Sequence, residues 1–111
     1  MSLSTLTAEE AMILMGMLRE VVQADGAYTA EEAAEVARIE SALGAERFAA
    51  AVAAAKREFT SRKALASKVH LVTRREAQDA ILDTLSAVAA SDDITAGEDE
   101  PIQWLATAWN R

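Results

Sequence analysis

The 111-residue sequence has no cysteine, a single proline, four glycines and few aromatic residues. The lack of cysteine excludes disulfides, thiolate metal sites and cysteine nucleophiles, and it is typical of a reducing compartment. Long hydrophobic runs are also missing, because the apolar stretch 11–18 is followed at once by Arg19 and Glu20. That stretch is too short to cross a membrane, and acidic rather than basic residues precede it, unlike a targeting segment. We therefore expect no membrane insertion and a cytoplasmic location.

The sequence also lacks the short motifs that carry enzyme chemistry. It contains no nucleophile elbow, phosphate loop, dinucleotide fingerprint or zinc-protease motif. The only histidine, His70, lies between Val69 and Leu71 in a lysine-rich segment that supplies no catalytic partner. We predict that the protein is not an enzyme.

Charge divides the chain into three blocks. Residues 1–46, 47–75 and 76–111 carry net charges of −7, +7 and −7, which sum to the −7 of the whole chain. The basic block has two aromatic residues, Phe48 and Phe59, and its bases are separated by apolar residues at helical spacing. A bare charge patch of this kind is weak evidence for nucleic-acid binding, so we expect none. We expect the basic helices to lie beside the acidic ones.

A helix-start pattern occurs four times. In each copy a threonine can accept a hydrogen bond from a free amide of the first turn, and a glutamate three residues later can reach back to the threonine amide. The pairs are Thr7 with Glu10, Thr29 with Glu32, Thr73 with Glu76, and Thr95 with Glu98.

These starts and the spacing of apolar residues predict an all-helical chain. Gly44 is placed to end the second helix, and Ser61 is placed to cap a short fourth helix that carries Leu65 and Val69. The first three helices are expected at about Ala8–Gln23, Ala30–Leu43 and Ala45–Phe59, the fifth begins after Thr73, and the last carries Ile102, Leu105 and Trp109. No segment alternates, so no sheet is expected. The prediction is an all-α, compact bundle of about six helices in a single domain, residues 1–111.

The start of the last helix has two readings. If Thr95 caps that helix, Pro101 falls inside it and removes one backbone hydrogen bond. The alternative is a short turn at 95–98 with the main helix beginning near Asp99. We favour the second reading because Gly97 also weakens a helix there.

The two halves of the chain carry related acidic segments. Residues 24–32 read Ala-Asp-Gly-Ala-Tyr-Thr-Ala-Glu-Glu, and residues 90–98 read Ala-Ser-Asp-Asp-Ile-Thr-Ala-Gly-Glu. In each, an acidic turn follows an apolar helix and leads to a threonine and a glutamate. Apolar positions around the segments also match, Val22 with Val88 and Ile39 with Leu105. The pattern predicts an internal pseudo-twofold repeat.

The first segment is similar to the latter half of a calcium loop, in which a glycine allows the turn and a glutamate chelates at the twelfth position. With Asp25 fifth and Glu32 twelfth, the first and third positions fall on Val21 and Gln23, which are poor ligands. The second segment has alanine at both positions. A self-contained EF-hand is therefore excluded.

The motif Ala24-Asp25-Gly26, followed by Tyr28, Thr29 and Glu32 between two apolar helices, resembles the TerB-like tellurite-resistance family. That family is in turn related to the membrane-proximal domain of DjlA-type co-chaperones. The resemblance extends over residues 6–109. The second copy departs from the family pattern, since it reads Ser-Asp-Asp where members repeat Asp-Gly.

This resemblance implies a cytoplasmic domain of bacterial stress systems with acids that bind a divalent cation. The implied ligands are Asp25, Glu32, Asp92, Asp93 and Glu98. Two half-loops that each lack ligands can jointly supply a hard cation if symmetry brings them together. Carboxylate oxygens without sulfur or imidazole suit Ca²⁺, Mg²⁺ or Mn²⁺.

Two other readings remain open. In the structural one, Glu32 and Glu98 serve as capping-box residues, and Asp25-Gly26 forms a tight interhelical turn. In the other, the chain is a metal-free module that binds another protein, with the basic block complementary to an acidic partner. The proposed contacts are Lys56, Arg57, Arg62 and Lys63.

Overall fold

A computed structural model of the chain describes residues 3–24, 30–90 and 96–111, with the backbone alone at some helix-end positions that include Glu32 and Glu98. The described residues form six α-helices and two short 3-10 helices, and no strand occurs among them. The α-helices are α1 (Ala8–Ala24), α2 (Ala30–Leu43), α3 (Ala45–Glu58), α4 (Arg62–Ala66), α5 (Arg75–Ala90) and α6 (Ala96–Ala108). The 3-10 helices are Leu3–Thr5 and Val69–Leu71. The predicted all-α, compact bundle of about six helices is confirmed; the pseudo-twofold repeat remains a prediction.

Helix α1 lies at the centre of the bundle. It packs against α3, α5 and α6, and its sequence is apolar on nearly every side between Ala11 and Leu18. Ile13, Leu14 and Met17 are fully buried. A helix that is apolar all round must be surrounded by others, and α1 meets that condition with three neighbours.

The first predicted helix start is confirmed in atomic detail. The Glu10 amide donates to Thr7 Oγ1 at 3.2 Å, and the Thr7 amide donates to Glu10 Oε1 at 2.8 Å. Both bonds of a capping box are therefore present. The Ser61 cap is confirmed as well, because Ser61 Oγ accepts from the Ala64 amide at 3.2 Å.

Helices α2 and α3 are joined by a single residue. The Gly44 amide donates to the Glu40 carbonyl at 2.8 Å, and the Gly44 carbonyl accepts from the Phe48 amide at 2.9 Å. Gly44 thus ends one helix and begins the next. Its φ of +95° lies in the region that disfavours side chains, which explains why a glycine stands here.

A second glycine lets α1 and the end of α3 approach closely. A Cβ added at Gly16 would lie 2.6 Å from Phe59 Cδ2 and 3.2 Å from Leu65 Cδ1. Phe59 and Leu65 are both buried. Gly16 therefore costs helix propensity but makes room for these two side chains.

Three expectations about helix boundaries are wrong. Thr73 was predicted to cap α5, but the carbonyl of Arg74 accepts the first hydrogen bond of the helix, from the Gln78 amide at 3.0 Å. Helix α5 therefore begins at Arg75, one residue later than that cap implies. Helix α4 ends before Val69, which lies in the second 3-10 helix. Helix α6 begins at Ala96 and contains Pro101, contrary to the favoured reading. Pro101 is buried. Helix α6 therefore packs this side chain in the interior even though the proline ring removes one backbone hydrogen bond.

The C-terminal end of α6 is anchored by an aromatic side chain. Trp109 is buried, and its indole Nε1 donates to the Val69 carbonyl at 2.9 Å. A buried tryptophan usually finds such a partner for its N–H. No helix in the described ranges is long and apolar enough to span a bilayer.

Candidate functional site

The structure describes the side chain of none of the five predicted ligands. Asp25, Asp92 and Asp93 lie between the described ranges. Glu32 and Glu98 lie in the first turns of α2 and α6, where the backbone alone is described. The predicted caps at Thr29 and Thr95 are outside the described residues too. What the structure does place is the set of helix ends that flank both acidic segments.

The orientation of α6 follows from its contacts with the segment 62–74. Near the start of α6, Glu100 accepts two hydrogen bonds from Arg62. Beyond the end of α6, Trp109 bonds to Val69. Helix α6 therefore runs alongside this segment in the same direction.

The orientation of α1 is opposite. Toward its end, Glu20 accepts a hydrogen bond from Arg62, and near its start Glu10 accepts two from Arg74. Helices α1 and α6, which pack on each other, are therefore antiparallel. The end of α1, where the first acidic segment begins, lies on the same side of the bundle as the start of α6, where the second one ends.

Arg62 joins these two helix ends, and we call this cluster the Arg62 bridge. Its Nε lies 2.8 Å from Glu20 Oε1, and its Nη1 lies 2.8 Å and 2.9 Å from the two Glu100 oxygens. The guanidinium also stacks over Trp104, 5.4 Å from the ring centre, within the range of a cation–π contact. The hydrogen bonds to Glu20 and then to Glu100 raise the pKa of Arg62 further above its usual value.

The bridge brings a carboxylate from each half of the chain to one cation. Glu20 precedes Asp25 by five residues, and Glu100 follows Glu98 by two. Both are engaged by Arg62, so neither is a ready metal ligand. Over the described residues, no group of three or more acids or histidines is placed to hold a metal ion.

A second ionic cluster holds the other end of α1, and we call it the Glu10 clamp. Arg74 Nε and Nη2 donate to the two Glu10 oxygens at 3.0 Å and 2.6 Å, and Nη2 also donates to the Thr5 carbonyl at 3.0 Å. Only 5% of Glu10 is exposed. The Arg74 hydrogen bonds, with those of Thr7, lower the pKa of Glu10 although burial opposes the change.

Both clusters fit the expected pairing of the basic block with its acidic neighbours. Sequence spacing identified the Thr7–Glu10 box but not Arg74, which is 64 residues from Glu10. Arg47, also from the basic block, donates to the Leu6 carbonyl. The opposite charges of the blocks were the sequence signal for these contacts, but they do not identify which residues pair.

The remaining sequence candidates have structural positions. His70 is exposed. Met15 and Met17 are buried in the core, and Met12 packs against it, as expected of flexible filling side chains. Trp104 is half-buried beneath Arg62.

No protein-family model, curated protein or solved structure matches this chain. The TerB-like resemblance therefore rests on the residues that carry it, above all Asp25, Gly26, Thr29 and Glu32.

Proposed function

We propose that the protein is a non-enzymatic, cytoplasmic, TerB-like domain of bacterial stress response that binds a divalent cation. The ligands in this proposal are Asp25, Glu32, Asp92, Asp93 and Glu98, and the ion is Ca²⁺, Mg²⁺ or Mn²⁺. Hard cations of this kind take several carboxylate oxygens, and neither acidic segment has enough by itself.

The Arg62 bridge is the observation that supports the proposal. It links Glu20 and Glu100, which flank the two acidic segments, through one guanidinium. A joint site requires the segments to lie on one side of the bundle, and the antiparallel packing of α1 and α6 supports it by bringing the end of α1 and the start of α6 to the same side. The bridge itself would remain intact when a cation binds, because its two carboxylates are not among the proposed ligands.

The test is a titration of the full chain with each cation while thermal unfolding is followed. Binding to the folded state alone raises the unfolding temperature in proportion to the logarithm of ligand concentration. We expect such a rise with at least one of the three ions. It should disappear in the double variant Asp25→Asn/Glu98→Gln.

The matched control is Asp83→Asn, which removes an exposed acid of α5 that belongs to neither acidic segment. This variant should keep the full response to the cation. A temperature that does not change at millimolar metal, or a response that survives in Asp25→Asn/Glu98→Gln, rejects the proposal.

The alternative is a metal-free module that binds another protein. Of the four basic residues predicted to contact that partner, two already pair with carboxylates in the folded chain. Arg62 is engaged in the bridge, and Arg57 lies 3.2 Å from the Glu58 carboxylate. Exposed Lys56 and Lys63 remain. If another protein binds here, Lys63→Glu weakens its capture from the native host and leaves the cation response unchanged.

A further inference from the structure

An apolar pocket of about 230 Å³ opens between α1, α2 and α3. Its wall is formed by aliphatic and aromatic side chains from all three helices, among them Leu18, Val22, Val36, Phe48 and Val52. The pocket lies on the flank of α1 that faces α2 and α3, apart from the Arg62 bridge and the Glu10 clamp.

Among the described residues, two polar side chains line this pocket, and both are cationic. They are Arg19 of α1 and Lys56 of α3, each exposed to solvent. Arg19 Nη1 donates to the Phe59 carbonyl over a long 3.5 Å contact, which holds the guanidinium beside the end of α3, within one turn of Lys56. An arginine has five N–H donors, so this contact leaves most of them available.

Three acids on or beside the same helices already have partners. Glu20 pairs with Arg62, Glu58 with Arg57, and Glu35 with Arg38. Neither Arg19 nor Lys56 forms an ion pair with any carboxylate in the described part of the chain. In a protein of net charge −7, two cations without a carboxylate partner beside one apolar pocket are complementary to an amphiphilic anion.

The size of the pocket limits that anion. A dry cavity of about 150 Å³ holds a benzene molecule, and pockets for drug-sized ligands measure about 300–1,000 Å³. A pocket between these limits suits a small ligand with one apolar body. We propose that it binds a medium-chain aliphatic carboxylate of the size of octanoate, with the tail among Leu18, Val36 and Val52 and the carboxylate at Arg19 and Lys56.

The experiment is a calorimetric or NMR titration of the full chain with octanoate, in buffer with a chelator. The chelator separates this proposal from the cation site, since octanoate should bind whether or not a cation does. We expect saturable binding, with octylammonium and butyrate binding at least tenfold more weakly because one reverses the charge and the other lacks the tail.

Two variants locate the site. Lys56→Glu should weaken octanoate binding about fivefold, as loss of a solvent-exposed ion pair implies. Val52→Trp should abolish it by filling the pocket, with circular dichroism used to confirm that the variant folds. The matched control is Lys63→Glu, an exposed lysine of α4 outside the pocket, which should bind octanoate as the parent does.

Several outcomes overturn the proposal. They are no saturable binding of octanoate, equal binding of octanoate and octylammonium, or equal loss in Lys56→Glu and Lys63→Glu. Binding to anionic phosphatidylglycerol vesicles without binding of free octanoate also overturns it, because it assigns the two cations to a membrane surface.

Discussion

The Glu10 clamp and the Arg62 bridge hold opposite ends of α1 with the same chemistry but in different surroundings. In the clamp, the carboxylate is buried and receives bonds from Arg74 and from the Thr7 amide. In the bridge, one arginine is shared by two carboxylates, and side chains on both sides are partly exposed, Arg62 by 37% and Glu100 by 56%. Burial makes an ionic contact costly to break, whereas exposed pairs contribute little. The clamp is therefore a stability element, and the bridge mainly sets the positions of helix ends.

The largest expected effect comes from removing the charge of the clamp. Glu10→Gln leaves Arg74 and the Thr7 amide with weaker partners, so we expect a loss of about 2 kcal/mol in the free energy of unfolding, the scale of a hydrogen bond to a charged group. Urea unfolding measures it. The control is Glu9→Gln, an exposed neighbour on α1, which should stay within about 0.5 kcal/mol of the parent. Equal losses in the two variants would contradict the role of the clamp.

The clamp should also make stability depend on pH. The pKa of Glu10 is lower in the folded chain than its ordinary value of 4.5, so the unfolded chain takes up this proton first as pH falls. The contribution of Glu10 is therefore present above pH 4.5 and is lost below it, as pH falls through the folded-state pKa. Urea unfolding of the parent and of Glu10→Gln at a series of pH values should show their difference shrinking below pH 4.5. A difference that stays constant there would exclude this linkage.

The next largest loss of stability is expected at the confirmed capping box of Thr7, and it should exceed the loss at Thr73, where the predicted box does not form. Thr7→Ala removes the oxygen that accepts from the Glu10 amide and should cost about 1 kcal/mol. Thr73→Ala is the matched control, because Arg74 holds the corresponding backbone position at the start of α5, and it should cost less than half as much. Thermal or urea unfolding compares them, and similar costs would show that Thr73 acts as a cap after all.

The smallest effect is expected at the bridge. Glu20→Gln breaks one of the contacts of Arg62 while Glu100 keeps the other, so the loss should be about 0.5 kcal/mol. It should decrease further in 1 M salt, which screens exposed charges. Unfolding measured at low and high salt tests this, and a loss as large as that of Glu10→Gln would remove the distinction between the two regions.

Local patterns predicted most of the helix boundaries, since caps and periodicity act within one or two turns. The Thr7–Glu10 box, the Ser61 cap and the Gly44 junction are examples that the structure confirms. The prediction that the main part of the last helix begins near Asp99 was wrong. It weighed the backbone hydrogen bond that Pro101 removes, whereas Pro101 is buried within α6. Tertiary packing decided that position.

The candidate site is different in kind. Its proposed ligands, beginning with Asp25, come from the repeated acidic segments and the family resemblance, and they stay predictions. The arginines that organise both ends of α1 were not identifiable, because Arg62 and Arg74 are two of eight bases in one block and the pairing depends on the relative placement of distant helices. The apolar pocket was equally hidden, since its walls come from three helices that are ordinary amphipathic segments in sequence.

The Gly44 junction has a consequence for how the pocket could change its width. Because one residue separates α2 from α3, the angle between these helices has few degrees of freedom, mainly the two backbone torsions of that glycine. Val36 lies on α2 and Val52 lies on α3, and both line the same pocket. One distance, measured between a label on α2 and another on α3, would therefore report how widely the pocket opens.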